Sequence, residues 1–298
     1  MKAKTTQRKE RTAMQTLQHL SARISYLPPY AETDRPVLAA VRGEDQTLLI
    51  DAGNSSAHAQ LFLRELNNHH IQGDWLVLTH WHWDHVFGMK DMPMPVISHR
   101  LTYDKIKEMQ QLSWEDADLD QRVQEGTEIP FCAEAIKKEL GGNRDIFIPA
   151  PALTFDTAMT IHLGGVSCQI EHVGGDHSKD SCVIYVPEEK VLFLGDCLYA
   201  NLYADEWNYT AEQIFKLVQR LEAYEADRVF LSHHDAPLTK EEFLSFLQLL
   251  KRTASLTKKH KGREAAIMKE MEEDVQRELS EEERETITFF VNGYTDSK

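Results

Sequence analysis

Length, composition and charge already exclude several classes of protein. The chain has 298 residues, of which 48 are aspartate or glutamate and 33 are lysine or arginine, and its formal net charge at pH 7 is −15. So acidic a chain is unsuited to sequence-independent binding of nucleic acid, which requires a basic surface. Hydrophobic residues make up 42% of the sequence, as in an ordinary globular protein of one large domain or two.

The cysteines and the hydrophobic runs favour a cytoplasmic protein. The four cysteines form no C-x-x-C pair, and four thiols in so long a chain do not make a disulfide framework. We therefore expect reduced and mostly buried thiols at Cys132, Cys168, Cys182 and Cys197. No apolar run is long enough for a signal peptide or a membrane span. The basic residues of segment 1–13 predict a disordered arm.

Hydrophobic patterning predicts short strands and helices in both halves of the chain. One helix is predicted over 57–66, with Ser55 or Ser56 as its cap. Another begins at about Thr210, where Gln213 would complete a capping box. Short apolar runs bounded by turn residues predict strands at 36–41, 47–51, 75–79, 166–170, 182–186, 191–194 and 228–231. This order suggests two related halves that pack sheet to sheet.

Two further segments are predicted to be helical. Residues 100–145 are charged and mostly helical in pattern, which indicates an insertion or lid within a domain spanning 14–237. Residues 238–298 are predicted to form a helical C-terminal extension, because two capping boxes and two apolar stripes occur there. The capping boxes are Thr239 with Glu242 and Ser280 with Glu283.

The most informative segment directly follows the strand predicted at 75–79. Its sequence, His80-Trp-His82-Trp-Asp84-His85, places four metal-capable side chains within six positions. Histidines two residues apart point the same way only in extended or turning backbone, so this is not the helical H-E-x-x-H site. Three imidazoles and one carboxylate suit zinc, and also iron or manganese.

This segment resembles the signature of the metallo-β-lactamase superfamily, and four other motifs of that family occur in the expected order. The first is an early strand that ends at Asp51. The third runs from Val173 to Ser181 and contains His177 after two glycines. The fourth ends at Asp196, and the fifth is Phe230-Leu-Ser-His-His234-Asp-Ala-Pro237. The resemblance covers residues 37–237 and implies an α+β fold, a four-layer αββα sandwich, which the helical C-terminal extension would follow.

The resemblance also implies a centre for two metal ions. One ion would be held by His80, His82 and His177, and the other by Asp84, His85 and His234, with Asp196 bridging both. The adjacent His233 is an alternative to His234, although the family's usual proline three residues past the ligand favours His234. Asp51 is expected to orient a ligand histidine from outside the metal shell, as are Ser181 and His233.

The activity that the resemblance implies is that of a binuclear metal-dependent hydrolase. A metal-bridging hydroxide would attack the carbonyl of an ester, lactone or thioester, and Asp84 would orient it or carry a proton. Tyr199 stands where zinc β-lactamases have a lysine that binds the antibiotic's carboxylate, so β-lactam hydrolysis is not expected. A tyrosine at this position resembles the quorum-quenching lactonases, in which it contacts the substrate carbonyl.

Two alternatives stay open. One is a phosphodiesterase that uses the same site. The other is an oxidoreductase similar to the family's persulfide dioxygenases, with a single iron held by two histidines and one aspartate. In every case we expect two divalent ions or one iron as cofactor, a small-molecule substrate, and neither a nucleic acid nor a membrane as partner.

Overall fold

Two β-sheets packed face to face form the centre of the protein. The computed structural model describes residues 15–295, so the arm predicted at 1–13 lies outside the described residues. The first sheet has seven strands in the order β1 to β7. They are Gln18–His19, Ile24–Leu27, Leu38–Arg42, Thr47–Ile50, Trp75–Val77, Val96–His99 and Leu153–Phe155.

The second sheet has six strands in the order β13-β12-β11-β10-β9-β8. In chain order these are Ala158–His162, Ser167–His172, Cys182–Val186, Val191–Phe193, Arg228–Phe230 and Leu238–Thr239. Strands β4 and β5 pair in parallel in the first sheet, and β11 and β12 pair in parallel in the second. The carboxyl ends of parallel neighbours meet at one edge of a sheet, which is where their following loops converge.

Helices cover the outer face of each sheet. The first sheet carries α1 to α5, at Ser56–Asn68, Trp83–Val86, Arg100–Met109, Asp116–Gln124 and Pro130–Leu140. Next to them are two 3₁₀ helices, Ala31–Thr33 and Phe87–Asp91. The second sheet is covered by α6, α7 and α9, at Ala211–Leu221, Lys240–His260 and Glu281–Asn292, and α8, at Glu264–Val275, packs against α7 and α9. The predicted αββα sandwich with helices at its C-terminal end is confirmed.

The apolar side chains divide into layers that match this arrangement. Ile50 and Val77 of the first sheet pack with Ile184 and Phe193 of the second, which forms the core between the sheets. Strands buried on both faces require nearly continuous apolar runs, and the predicted strands have such runs. On the outer face of the second sheet, Phe290 of α9 belongs to the same core as the strand residues. Helices α7 and α9 therefore share a core with the second sheet, whereas α8 packs with them in a separate apolar cluster.

Most predicted elements are present, and the differences have local causes. Ser55 caps α1, and both capping boxes of the C-terminal segment are formed. The capping box predicted for Thr210 with Gln213 is wrong, because the Thr210 hydroxyl donates instead to Asp176 at 2.8 Å. Six strands of the described part of the chain lack a counterpart among the predicted ones, since they are short or alternate with polar residues, and these are β1, β2, β6, β7, β8 and β13.

Two further observations concern the cysteines and the length and polarity of the helices. All four cysteines are free thiols in buried positions, as predicted. Among the helices of residues 15–295, none is both long enough and apolar enough to cross a membrane.

Candidate metal centre

The predicted metal ligands lie in loops at one edge of the two sheets. Residues 80–85 follow β5, Asp196 follows β11 and His233 follows β12, while His177 lies between β9 and β10. The two halves approach closely here, because a Cβ atom at Gly195 would lie 2.8 Å from the Thr79 side chain. Gly195 also has a φ of +54°, a conformation that glycine adopts without steric cost. Glycine at this position therefore allows the turn before Asp196 to approach residues 80–85, the histidine loop.

Three histidines form the first cluster. His80, His82 and His177 are buried, and each offers a ring nitrogen within 4.8 Å of the others. The ring of His82 lies 4.5 Å from that of His80 and 4.6 Å from that of His177, measured between centroids. Converging imidazoles of this kind are a donor set that suits zinc and other transition metals.

Two histidines and two carboxylates form the second cluster. Ligand atoms of Asp84, His85, Asp196 and His233 all lie within 4.8 Å of one another. The Nε2 atom of His85 is 3.0 Å from Asp84 Oδ2 and 3.3 Å from Asp196 Oδ2. Mixed nitrogen and oxygen donors are again what zinc, iron and manganese accept.

The fifth motif contributes His233 to this cluster, and the preference for His234 is wrong. His233 Nε2 lies 3.2 Å from Asp84 Oδ2 and 3.4 Å from Asp196 Oδ2. His234 is exposed, and its Nδ1 donates to the carbonyl of Ala236 at 2.7 Å. The two adjacent side chains leave the turn after β12 in different directions, so only one of them can face the cluster.

Asp196 connects the two clusters. Its Oδ2 atom lies 3.8 Å from His80 Nε2 and 3.5 Å from His177 Nε2 on one side. On the other side it lies 3.3 Å from His85 Nε2 and 3.4 Å from His233 Nε2. A carboxylate with imidazoles of both clusters around one oxygen has the position required of a bridging ligand.

Hydrogen bonds from outside the clusters fix the orientation of the rings. Asp51 Oδ2 lies 2.8 Å from His85 Nδ1, and the Thr79 backbone and hydroxyl both donate to the same carboxylate at 2.8 Å. His177 donates its Nδ1 proton to the carbonyl of Ala200 at 3.0 Å. Each of these bonds leaves Nε2 free to face the cluster, which is the usual way in which a protein orients a ligand histidine.

The first cluster favours neutral imidazoles. Burial lowers the pKa of His82 to about 3. Burial also lowers the pKa of His80 and of His177, and neighbouring histidines lower that of His80 further. Neutral histidine is the form that binds a metal ion, so these three side chains are ready to do so at neutral pH.

The second cluster has the opposite electrostatic character. Burial disfavours its charged groups, but Asp84 and Asp51 outweigh burial and raise the pKa of His85. Likewise Asp196 raises the pKa of His233 against the effect of burial. The carboxyl group of Asp84 has a lowered pKa, because its histidine neighbours outweigh burial. The raised histidine pKa values and the lowered pKa of Asp84 have the same cause, which is that carboxylates and imidazoles lie side by side. The carboxylates concentrate negative charge at this cluster, and such charge favours a bound cation.

Buried polar atoms without a hydrogen-bond partner show that the residues fit metal ions. Among the described residues, His80 Nε2, His177 Nε2 and Asp196 Oδ1 are buried and make no hydrogen bond. A buried polar atom left without a partner costs roughly 1–3 kcal/mol, so several at one place require an explanation. All three atoms belong to residues of the two clusters, and bound metal ions would satisfy them.

Comparison with known families agrees with this geometry. Residues 37–233 match the family model of the metallo-β-lactamase superfamily. The chain belongs to this superfamily. A curated relative, a metallo-β-lactamase type 2 from Bacteroides fragilis, is 35% identical over 54 residues, which are 18% of this chain and 22% of that protein.

Solved structures of other proteins share the fold. A metallo-β-lactamase from Pontibacter korlensis matches with a TM-score of 0.55 at 22% identity, over 78% of this chain and 99% of that one. A stereoselective inverting sec-alkylsulfatase from Pseudomonas sp. matches with a TM-score of 0.60 at 17% identity, over 86% of this chain and 45% of that one. At these identities the likeness concerns the metallo-β-lactamase fold alone.

Two other predicted site residues differ in their relation to the metal clusters. Tyr199 lies beside them, with its ring 6.1 Å from the rings of both His177 and His233. Ser181 is buried, and its backbone carbonyl accepts from Val173 and Gly174, which holds the loop of the third motif. Within residues 15–295 the Ser181 hydroxyl has no hydrogen-bond partner.

One residue at the centre was missed by the sequence analysis. Asp34 Oδ1 lies 3.4 Å from His233 Nδ1, on the side of the ring away from Asp196. Asp34 has a φ of +57° at the end of a 3₁₀ helix, a conformation that aspartate tolerates better than most residues. Burial and Asp84 raise its pKa to about 7. Asp34 precedes the first motif and belongs to no recognisable spacing, so the sequence offered no signal for it.

A cavity of about 370 Å³ opens above the clusters. Its floor includes His82, Asp84, His177, Asp196 and His233. Its walls come from all parts of the chain and are largely aromatic, with Trp83, Phe131, Tyr199, Tyr203, Trp207, Tyr209, Phe246 and Phe289 among the lining residues. The volume is in the range of pockets that hold small molecules. The helical insertion and the C-terminal helices both contribute to the walls.

Proposed function

We propose that this metallo-β-lactamase superfamily member is a binuclear metal-dependent hydrolase that cleaves an ester, lactone or thioester of a small molecule. The observation that carries the proposal is the position of Asp196. One of its oxygens lies within 3.8 Å of imidazole nitrogens from both clusters. Zinc fits the donor set best, and iron and manganese fit it as well.

The two clusters divide the ligands between two ions. His80, His82 and His177 would hold the first, and Asp84, His85 and His233 the second, with Asp196 shared. Two divalent ions held there would lower the pKa of water, and so supply hydroxide at neutral pH, and would polarise the bond to be cleaved. Asp51 fixes the orientation of the His85 ring through its 2.8 Å contact with Nδ1.

Asp84 and Tyr199 are the proposed catalytic residues. Asp84 is a buried carboxylate on the cavity floor, so it is placed to accept a proton from water and pass it to the leaving group. Burial and Asp196 raise the pKa of Tyr199, which keeps the phenol protonated. A protonated phenol in the cavity wall can donate a hydrogen bond to the carbonyl oxygen of a substrate as negative charge develops there.

The charges around the cavity favour a carboxylic ester over the alternatives. No lysine or arginine occurs among the described residues that line it. The protein therefore offers no side chain of this type to pair with the carboxylate of a β-lactam or with a phosphodiester. A single iron held by two histidines and an aspartate would use only part of the two clusters, so the oxidoreductase alternative is less well supported.

Metal content and hydrolysis, measured together, test the proposed function. The protein is purified without chelator or metal-binding tag, and its metal content is determined by elemental analysis. We expect about two zinc, manganese or iron ions per chain, and turnover of an ester, lactone or thioester in a screen that also includes phosphodiesters.

Two variants and a control locate the activity. His82→Ala and Asp84→Ala are expected to lower kcat/KM at least ~100-fold, because each removes a metal ligand. His162→Ala changes an exposed histidine of β8 and is expected to keep wild-type activity. Wild-type turnover in the Asp84→Ala variant would contradict the proposal, and one iron per chain with consumption of O₂ would replace it by the oxygenase.

A further inference from the structure

The mouth of the cavity is built by segments outside the metal-binding motifs. Phe131 comes from α5 of the insertion, Trp207 from the loop that follows the fourth motif, and Glu282 and Glu285 from α9 near the C-terminal end. These side chains lie above the floor that the metal clusters form. They are therefore the part of the wall that the metal-binding motifs do not supply.

Glu282 and Glu285 bring two uncompensated negative charges to the mouth. They are three residues apart in α9, so they lie on the same face of the helix. Both are exposed, and no ion pair or side-chain hydrogen bond joins either of them to another described residue. Glu283, between them, instead pairs with Arg277 at 2.7 Å and closes the capping box with Ser280. The two unpaired carboxylates are thus free to meet a ligand.

Exposed aromatic rings lie at the same mouth. Phe131 is 48% exposed and Trp207 is 41% exposed, which is unusual for side chains of this size. Trp207 also packs towards α9, with its ring 6.1 Å from that of Phe289. Aromatic faces next to carboxylates are the surroundings that bind organic ammonium ions, through attraction to the ring quadrupole and to the negative charge.

The cavity joins the acidic mouth to the metal clusters, because His177 and Asp196 line it together with Glu282 and Glu285. A substrate held at the mouth therefore lies in the same cavity as the metal-binding residues. Since the described lining residues include no lysine or arginine, an anionic substrate would meet repulsion at the mouth without a compensating side chain.

We propose that the substrate carries an amine or a quaternary ammonium group, which lies between Phe131, Trp207 and the two glutamates while the scissile ester faces the floor. This rests on the proposed hydrolase function and deepens it by naming the substrate class. A purely neutral, apolar substrate would use the rings but would gain nothing from Glu282 and Glu285. The acidic mouth selects for positive charge.

A pair of isosteric esters tests whether the enzyme prefers a positively charged substrate. One is an ester of choline, and the other is the ester of 3,3-dimethylbutanol with the same acyl group, in which a tert-butyl group replaces the trimethylammonium group. Both present the same scissile bond and nearly the same shape, so they differ in charge alone. We expect kcat/KM to be about tenfold higher for the choline ester. The preference should fall as the ionic strength rises, because the glutamates are exposed and their field is screened.

Three variants test whether the preference for a positively charged substrate depends on the two glutamates of α9. Glu282→Gln and Glu285→Gln are each expected to raise KM for the choline ester about threefold, and the double variant about tenfold, with kcat unchanged. Both KM and kcat for the neutral ester should stay the same. Glu281→Gln is the matched control, because Glu281 is an exposed glutamate in the same first turn of α9 but does not line the cavity.

Binding of choline itself gives a readout that is independent of hydrolysis. Isothermal titration of the protein with choline and with 3,3-dimethylbutanol should show tighter binding of the cation, and the double variant should lose that difference. If the wild-type protein hydrolyses both esters equally and binds both alcohols equally, the inference is overturned while the hydrolase function stands. If choline binds selectively but no ester is cleaved, the cation site is supported and the proposed hydrolase function fails.

Discussion

Asp51 and His85 meet at 2.8 Å, with the carboxylate Oδ2 against the ring Nδ1, and this contact orients the histidine that lies at the centre of the second cluster. Thr79 donates twice to the same carboxylate, at 2.8 Å each time. Oδ1 accepts from the Thr79 backbone, and Oδ2 is shared by the Thr79 hydroxyl and the ring of His85, so both oxygens of the carboxylate are held in place. Such a contact sets both the direction of Nε2 and its basicity.

We predict that Asp51→Ala weakens metal binding about 10–100-fold without removing a metal ligand. The ring of His85 would lose the partner that holds Nδ1, and Thr79 would lose its acceptor. Competition with a chromogenic chelator measures the change in affinity. Asp104→Ala, which alters an exposed aspartate of α3, serves as control, and an equal affinity in both variants would show that the contact is structural only.

His233 and His234 offer a matched pair of variants. Because His233 lies 3.4 Å from Asp196 while His234 faces away and bonds to Ala236, His233→Ala should lose about one metal ion per chain and His234→Ala none. Elemental analysis after gel filtration measures both. Loss of metal in His234→Ala, with retention in His233→Ala, is the result that would restore the assignment favoured by the family's proline.

A largely buried ion pair connects the insertion to the segment just before β3, and its loss should be costly. Arg35 pairs with Glu139 of α5 at 2.7 Å, where the Glu139 side chain is 3% exposed, and Ser55 donates to the same carboxylate at 2.6 Å. Glu139→Gln leaves the arginine without its counterion, so we expect a loss of roughly 2–4 kcal/mol in the free energy of unfolding. Urea denaturation at pH 7 measures it, and Lys138→Gln, an exposed neighbour, is the control.

The same pair predicts how stability depends on pH. Although burial opposes ionisation, Arg35 and Ser55 lower the pKa of Glu139 below its ordinary value of 4.5. A carboxyl group with a lowered folded-state pKa stabilises the protein fully above the unfolded-state pKa and loses this effect as the pH falls through the folded-state value. The stability difference between the wild type and Glu139→Gln should therefore be constant near neutral pH and shrink below about pH 4.5. A difference that stays constant down to about pH 3 would contradict this.

Phe290 tests whether the C-terminal helices belong to the core. Its side chain is fully buried on α9 within the core of the second sheet. Phe290→Ala should cost about 3–5 kcal/mol in the free energy of unfolding, because it leaves a cavity. Thermal unfolding should stay a single transition at a lower temperature if α9 and the sheets unfold together. Val275→Ala, at a 39% exposed position, is expected to change little.

Part of this protein could be predicted from local sequence alone. Apolar runs give strands that are buried on both faces, and the spacing of His80, His82, Asp84 and His85 directly after such a run brings four ligands to a single loop. Capping boxes at Thr239 and Ser280 place the starts of α7 and α9. Each of these features depends on residues only a few positions apart. Their relative positions are therefore set by local backbone geometry, which a sequence pattern predicts.

The choice between His233 and His234, the contact of Asp34 with His233 and the acidic mouth of the cavity were decided only by the tertiary structure. The turn after β12 determines which of two adjacent imidazoles faces Asp196. The packing of α9 through Phe290 brings Glu282 and Glu285 to a cavity whose floor is built in part by the histidine loop of the first sheet, far earlier in the chain. No local pattern encodes such positions, because they result from how remote apolar faces pack together.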